Sequence, residues 1–374
     1  MARRHTPYYH RFIELGAEIG DRIGFDAALS FSTVEQEHIA TRERVGMYDV
    51  YYQGPIDIKG PDAQALLQRV LVRDVEKRLK NNTVLYSSLC NADGGMIDDL
   101  TCYRLADEHY WLIATPARAS VVEAWVREHA RDLRAYVTNT ISGTAYLSIQ
   151  GPRSRETLAA ITDADLSTAA LPYFRFVEAV VAQVPMVVSR TGYSGELGYE
   201  LYYPRDYAEH IWDSVAAAGA EAGIAPCGLG ALRTVRMEKR YPLYGLDVNE
   251  GTSPLEAGLG WAVDLDGPDF IGREALLRER EGGLNRTLVG IDLGDLAFVA
   301  SPGDDVRLDG RSVGTVTSGE RGHFLGKSLA MAYVSPQVTA GTEVTVVPES
   351  SGSGSAGVVA DRPFYDPDGA RVRA

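Results

Sequence analysis

The sequence predicts an α+β protein in which two similar α+β units precede a small all-β domain. Three observations carry this. Ile56-Asp57-Ile58-Lys59-Gly60-Pro61, with a helical run through Leu66-Leu67, recurs as Leu147-Ser148-Ile149-Gln150-Gly151-Pro152 with one through Leu158. Beyond Gly283 the helical spacing gives way to short alternating runs divided by turn signals. At 374 residues the chain is too long for one simple core, which calls for two or three domains.

Each repeat reads as an alternating strand, a Gly turn and a Pro at the first helical position, where its missing N–H costs nothing. Helices on one side of mixed sheets follow. Apolar positions three and four apart predict further helices at Tyr8–Ile23, Arg118–Ala130, Asp206–Ala222 and Gly230–Arg240. The segment Val187–Tyr203 reads as a hairpin whose wide turn carries Gly192, Gly195 and Gly198. A surface helix over Arg273–Gly283 leads into strands at Leu288–Leu293, Val306–Thr317, Ser328–Val334, Glu343–Val347 and Gly357–Asp361. These predict a barrel or sandwich.

A net charge of −14 argues against nucleic-acid and anionic-membrane partners, both of which need a basic footprint. Cys90, Cys102 and Cys227 fit no CxxC pattern, so neither a disulfide framework nor a zinc site is expected. The seven histidines lack HxxxH or HExxH spacing, so no metal centre is expected. The first residues, MARRHTPYYH, contain no apolar leader, and no run reaches the ~18 apolar residues of a membrane span. The expectation is a reduced, cytoplasmic protein.

The segment Asn91–Leu105, NADGGMIDDLTCYRL, sets Asp98 and Asp99 just after a Gly94-Gly95 turn, at the start of an apolar run. Period-two alternation puts Met96, Asp98, Leu100 and Cys102 on one face, and Ile97, Asp99, Thr101 and Tyr103 on the other. The carboxylates then point opposite ways and form no shared-proton dyad. At least one faces packed protein, where a carboxylate needs a partner or ligand. Taken alone, the segment also fits a solvated strand edge with a turn cap.

Familiar catalytic signatures are missing. Gly192-Tyr193-Ser194-Gly195 is followed by Glu196 rather than the glycine a nucleophile elbow needs. Gly228-Leu229-Gly230 lacks the third glycine of a dinucleotide fingerprint. Acids, tyrosines and a bound organic cofactor are left to carry the chemistry.

Seven blocks occur in order: MYDV (Met47–Val50), YSSLCNADGGMIDDL (Tyr86–Leu100), SRTGYSGELGYEL (Ser189–Leu201), PCGLGALRTVRMEK (Pro226–Lys239), YPLYGLDVNEGTSPLEAGLGWAV (Tyr241–Val263), DFIGREAL (Asp269–Leu276) and TSG (Thr317–Gly319). This string resembles the glycine cleavage T-protein (aminomethyltransferase) superfamily, which includes folate-dependent demethylases. The resemblance implies a three-domain cloverleaf, two ferredoxin-like α/β subdomains and a C-terminal β-barrel, with tetrahydrofolate at the centre. Residues 1–50 with 138–245 would form the folate-binding domain and 51–137 the domain carrying Asp99. Residues 246–282 would connect them to the barrel over 283–374. Asp99 matches the family's catalytic aspartate, and Glu200 the glutamate that accepts from the pterin N–H edge. Tyr86 and Tyr193 match tyrosines lining the folate channel, while Arg236 and Arg371 match arginines of that region.

The chain departs from the family around the expected substrate pocket. Tyr51-Tyr52-Gln53-Gly54 replaces Ser-His, a hydrophobic residue and Gly. Thr115 stands where an asparagine is expected, and Leu232 where the T-protein has its first arginine, with Arg233 beside it. Tyr51 and Tyr52 would suit a small apolar or cationic donor through ring-face contact, and equally an ordinary strand pair. The resemblance therefore implies a tetrahydrofolate-dependent transferase that takes a methyl or methylene group from an N-, O- or S-linked small-molecule donor. The alternatives are a T-protein acting on an aminomethyl-lipoyl carrier protein, and a folate-binding accessory protein without catalysis.

Overall fold

In the computed structural model, residues 3–50, 53–294, 296–349 and 354–374 are described. The fold class holds: two mixed α+β units stand beside a closed six-stranded barrel. The first sheet orders its strands Phe176–Val181, Val184–Ser189, Gly198–Pro204, Thr144–Gln150, Val45–Tyr48, Ile224–Cys227. The second runs Thr83–Cys90, Met96–Ala106, His109–Ile113, Ile56–Lys59, Tyr136–Asn139.

Both sheets share one connectivity. In the second, Ile56–Lys59 leads through helix Ala63–Val70, and later the pair Met96–Ala106 and His109–Ile113 leads through helix Ala119–His129 to Tyr136–Asn139. That is a ferredoxin-like βαββαβ order, with Thr83–Cys90 added at one edge. Thr144–Gln150, helix Ser154–Ala159, the hairpin strands Val184–Ser189 and Gly198–Pro204, helix Ala208–Ala218 and Ile224–Cys227 repeat it, with Val45–Tyr48 inserted. Ile56–Lys59 and Thr144–Gln150 are equivalent strands, so the sequence repeat marks a structural one.

The junctions match in detail. Gly60 and Gly151 have φ of +125° and +137°. A Cβ on Gly60 would sit 2.2 Å from the Arg134 carbonyl oxygen, and one on Gly151 2.3 Å from that of Arg44. Only glycine is tolerated at such positions. The prolines do not open the helices, however. Ala63 N–H bonds Gly60 O, and Ser154 N–H bonds Gly151 O, both at 3.0 Å. Pro61 and Pro152 thus follow the first residue of a turn, where a preset φ is favoured, and Asp62 and Arg153 are the N-caps.

Helix spacing explains the packing. Leu66, Leu67 and Val70 of one helix and Val122 and Val126 of another are fully buried against the second sheet. Trp212, Ile211 and Val215 do the same for the first. One expectation fails: the helix predicted over Tyr8–Ile23 stops at Glu14, and Glu18–Arg22 pairs instead with strand Phe25–Ser30. Sheet pairing overrides local periodicity there.

The barrel closes because Thr287–Asp292 pairs with both Lys327–Val334 and Ser355–Ala360. Ile291, Val306, Ala332, Val346 and Val359 fill its interior. Among the described residues, no helix is long and apolar enough to cross a membrane.

Candidate functional site

The hairpin of Thr83–Cys90 and Met96–Ala106 places Asp99. Ser88 lies opposite Asp99 and Tyr86 opposite Thr101, so Tyr86 and Asp99 share a face. The Tyr86 hydroxyl donates to Asp99 Oδ2 at 2.8 Å. Burial pushes the Asp99 carboxyl up to about 6, against the lowering effect of this bond.

Simple alternation does not survive at the start of the strand. Leu89 pairs with Asp98 and Cys90 with Met96, so a bulge leaves Ile97 extra. Met96 packs with Val248, Ala257 and the Tyr86 ring, whereas Ile97 joins the core of Leu100 and Cys102. The two aspartates keep separate partners, as expected. Asp98 is fully buried; its Oδ2 accepts the Thr115 N–H at 2.8 Å, and its Oδ1 has no protein partner. Burial, then the neighbouring Asp99 charge, raise the Asp98 carboxyl well above the usual range.

Glu200 lies in the facing sheet, opposite Ser148 on one side and Ser189 on the other. Its Oε1 accepts from the Tyr146 hydroxyl at 2.7 Å; its Oε2 accepts from Thr191 at 2.5 Å and Tyr202 at 3.3 Å. Burial raises its carboxyl and these hydroxyls oppose the rise. Tyr103, on the Asp99 strand, donates to Ser189 Oγ at 2.9 Å and lies 3.2 Å from Thr191 Oγ1. The strand that carries Asp99 therefore also reaches the Glu200 cluster. Tyr103, Tyr146, Tyr202 and Phe176 pack together between the sheets.

Tyr193 and Arg236 meet nearby. The Tyr193 hydroxyl donates to Pro242 O at 2.6 Å, and its ring lies 5.8 Å from that of Tyr241. Arg236 donates from Nη1 to Tyr241 O at 3.0 Å and to Asp247 Oδ2 at 2.6 Å. Its buried Nε and Nη2 have no protein acceptor. Tyr193 lies within electrostatic reach of Arg236, Asp99 and Asp247. Asp247 also accepts from Thr317 at 2.5 Å and Ser318 at 2.6 Å, which ties the barrel to this cluster.

Other predicted residues are engaged elsewhere. Arg233 pairs with Glu320 at 2.7 Å. Arg371 donates to Glu196 at 3.1 Å and to Arg42 O at 2.7 Å. Thr115 contributes its backbone N–H. Tyr51 and Tyr52 lie outside the described residues. Sequence reasoning missed the Glu200 hydroxyls, Asp247 and Trp261. For Tyr202 a signal existed: two residues from Glu200 on one strand, it had to share its face. Two surface clefts, of about 460 Å³ beside Gly260 and about 900 Å³ beside Val180, are lined by neither Asp99 nor Glu200.

Comparison with known proteins adds to this geometry. Residues 8–267 match the GCVT N-terminal domain family, and residues 286–366 match the glycine cleavage T-protein C-terminal barrel domain family. An aminomethyltransferase of Moorella thermoacetica is 40% identical over 344 residues, covering 92% of this chain and 93% of the relative. One of Anoxybacillus flavithermus is 38% identical over 366 residues, covering 97% and 98%. The solved structure of the glycine cleavage system aminomethyltransferase T from Bartonella henselae superposes with a TM-score of 0.88 at 28% identity, over 98% of this chain and 99% of that one.

Proposed function

Because the chain belongs to the glycine cleavage T-protein (aminomethyltransferase) family, we propose that it moves the methylene of an aminomethyl group from a lipoylated carrier protein to tetrahydrofolate, with release of ammonia. The carbon–sulfur and carbon–nitrogen bonds of the donor break, and the carbon passes to the folate nitrogens. The observation that carries this reading is the Tyr86–Asp99 hydrogen bond, set on a strand whose Tyr103 reaches the Glu200 cluster. Whole-length likeness to proteins named aminomethyltransferase favours this donor over N-, O- or S-methyl compounds.

The residues present suit a reduced pterin. Glu200 sits among hydroxyls that both donate and accept, and the 3.3 Å Tyr202 bond is the weakest one for a ring N–H to displace. The two unpaired N–H groups of Arg236 await an acceptor oxygen. Tetrahydrofolate, when bound, supplies an amine that is nucleophilic without activation. The protein's part is positioning, worth up to ~7–11 kcal/mol, and charge stabilisation. Ionised Asp99 stabilises the cation that develops on the transferred carbon and its nitrogens, and Tyr86 fixes its Oδ2. The three buried, unbridged cysteines suit a reducing compartment such as the cytoplasm.

The test supplies the purified chain with aminomethylated lipoyl carrier protein and tetrahydrofolate. The expected result is ammonia release that depends on both. Demethylation of a methyl donor without ammonia release from the carrier would overturn the assignment.

A further inference from the structure

One row of side chains on the second sheet runs from its far strands toward the first sheet. Pairing sets Asp57 opposite Trp111 and Trp111 opposite Tyr103, so the three share a face. Asp57 is buried. Its Oδ1 accepts from the Trp111 indole N–H at 2.8 Å and lies 2.5 Å from His109 Nε2, while Lys59 Nζ lies 2.9 Å from Oδ2. A carboxylate that served only Lys59 and His109 could stay in water, and burying it is costly. An indole N–H only donates and needs an acceptor once it leaves water. The bond from Asp57 therefore fixes which way the Trp111 ring lies.

That ring packs at the seam between the two sheets. Its centroid lies 6.2 Å from that of Tyr202 and 6.4 Å from that of Tyr103, with the planes 63° and 47° apart. The Tyr202 hydroxyl donates to Glu200 Oε2. Tyr103 bonds Ser189 and approaches Thr191, whose own hydroxyl donates to the same Oε2. Both tyrosine neighbours of Trp111 thus lead to one oxygen of Glu200. A binding group keeps its geometry only when the side chains behind it are themselves held.

We propose that Asp57 is a positioning residue for tetrahydrofolate binding: it fixes Trp111, which braces Tyr103 and Tyr202 and through them the hydroxyls on Glu200 Oε2. The inference rests on the reading of Glu200 as the anchor of the folate. The chain of contacts ends on that anchor, so its loss falls on binding rather than on turnover.

The experiment measures the tetrahydrofolate Kd by calorimetry, and kcat for ammonia release from aminomethylated carrier protein at saturating tetrahydrofolate. The full chain is compared with Asp57→Asn, Asp57→Leu, Trp111→Phe and the Asp57→Leu, Trp111→Phe double variant. Asp57→Leu should weaken binding about fivefold, with kcat within about threefold. Asp57→Asn, whose amide oxygen still accepts from the indole, should bind within about twofold of wild type. Trp111→Phe should weaken binding at least as much as Asp57→Leu, and adding Asp57→Leu to it should change nothing further. Unchanged affinity in Asp57→Leu would overturn the inference. So would an equal further loss in the Trp111→Phe background, since Asp57 would then act without Trp111. If Asp57→Leu does not fold, Trp111→Phe decides, and an unchanged Kd there overturns the inference alike. A wild-type chain that binds no tetrahydrofolate, or a Glu200→Gln variant that binds it equally well, would overturn the anchor reading instead.

Discussion

Tyr86 holds Asp99 through a 2.8 Å hydrogen bond from its hydroxyl to Oδ2, and burial and this bond act on the carboxyl in opposite directions. The proposed reaction needs Asp99 ionised, so kcat/KM should decline as pH falls through about 6. Tyr86→Phe removes the lowering contribution and should move this acid limb upward by roughly 0.5–1 unit. A pH–rate profile of both proteins checks it; a limb that stays put would free Asp99 from the role.

Asp99→Asn keeps size and shape but removes the charge. Turnover should drop by roughly 10²–10³-fold, while the tetrahydrofolate Kd stays within about threefold. Comparable loss of both would contradict the division of labour. Stability gives a second readout. The folded-state pKa of Asp99 lies above its unfolded value, so the group's contribution falls as pH rises from about 4 to about 6. Thermal melting should show Asp99→Asn at least as stable as wild type at pH 8, with any advantage gone below about pH 4.

Glu200→Gln replaces an acceptor among three hydroxyl donors with an amide that must also donate. Tetrahydrofolate binding, measured by calorimetry, should weaken by about tenfold or more, with a smaller effect on kcat. Unaltered affinity would remove Glu200 from the cofactor site.

Asp247→Ala strands the buried Arg236 guanidinium, whose Nε and Nη2 already lack protein acceptors. Urea unfolding should show a loss of about 3–5 kcal/mol. The barrel should loosen as well, because Thr317 and Ser318 lose their acceptor. Equal protection of barrel amides from hydrogen exchange in both proteins would contradict that coupling.

The fold class and the duplication were legible because both rest on local signals: a period of two, a helical spacing, a Gly-Pro junction. Asp99 was marked out with Asp98 by its place after the Gly94-Gly95 turn, but its role, like the choice of Tyr86 and Glu200, came from a resemblance to known proteins. The Ile97 bulge was not legible, since it is set by register against Thr83–Cys90. Asp247 reaches Thr317 across 70 residues, and Trp261 finds Tyr86 only in three dimensions. Nothing near either residue in sequence announces those contacts. The helix expected over Tyr8–Ile23 misled because strand pairing with Phe25–Ser30 overrides its apolar spacing.

The way one unit is threaded into the other governs how the chain is made. Val45–Tyr48 pairs with Thr144–Gln150 and Ile224–Cys227, so it leaves the ribosome well before either partner exists. The five strands between Ile56 and Asn139, by contrast, form one sheet with each other, although Thr83 also bridges Arg175 and Met96 N–H bonds Thr252 O. The inserted unit can therefore close its own sheet before its later contacts with Arg175 and Thr252 exist, while the surrounding sheet must wait with an open gap that only later synthesis fills. Terminating translation after residue 139 should release a chain whose middle is protected from protease and whose first fifty residues are not.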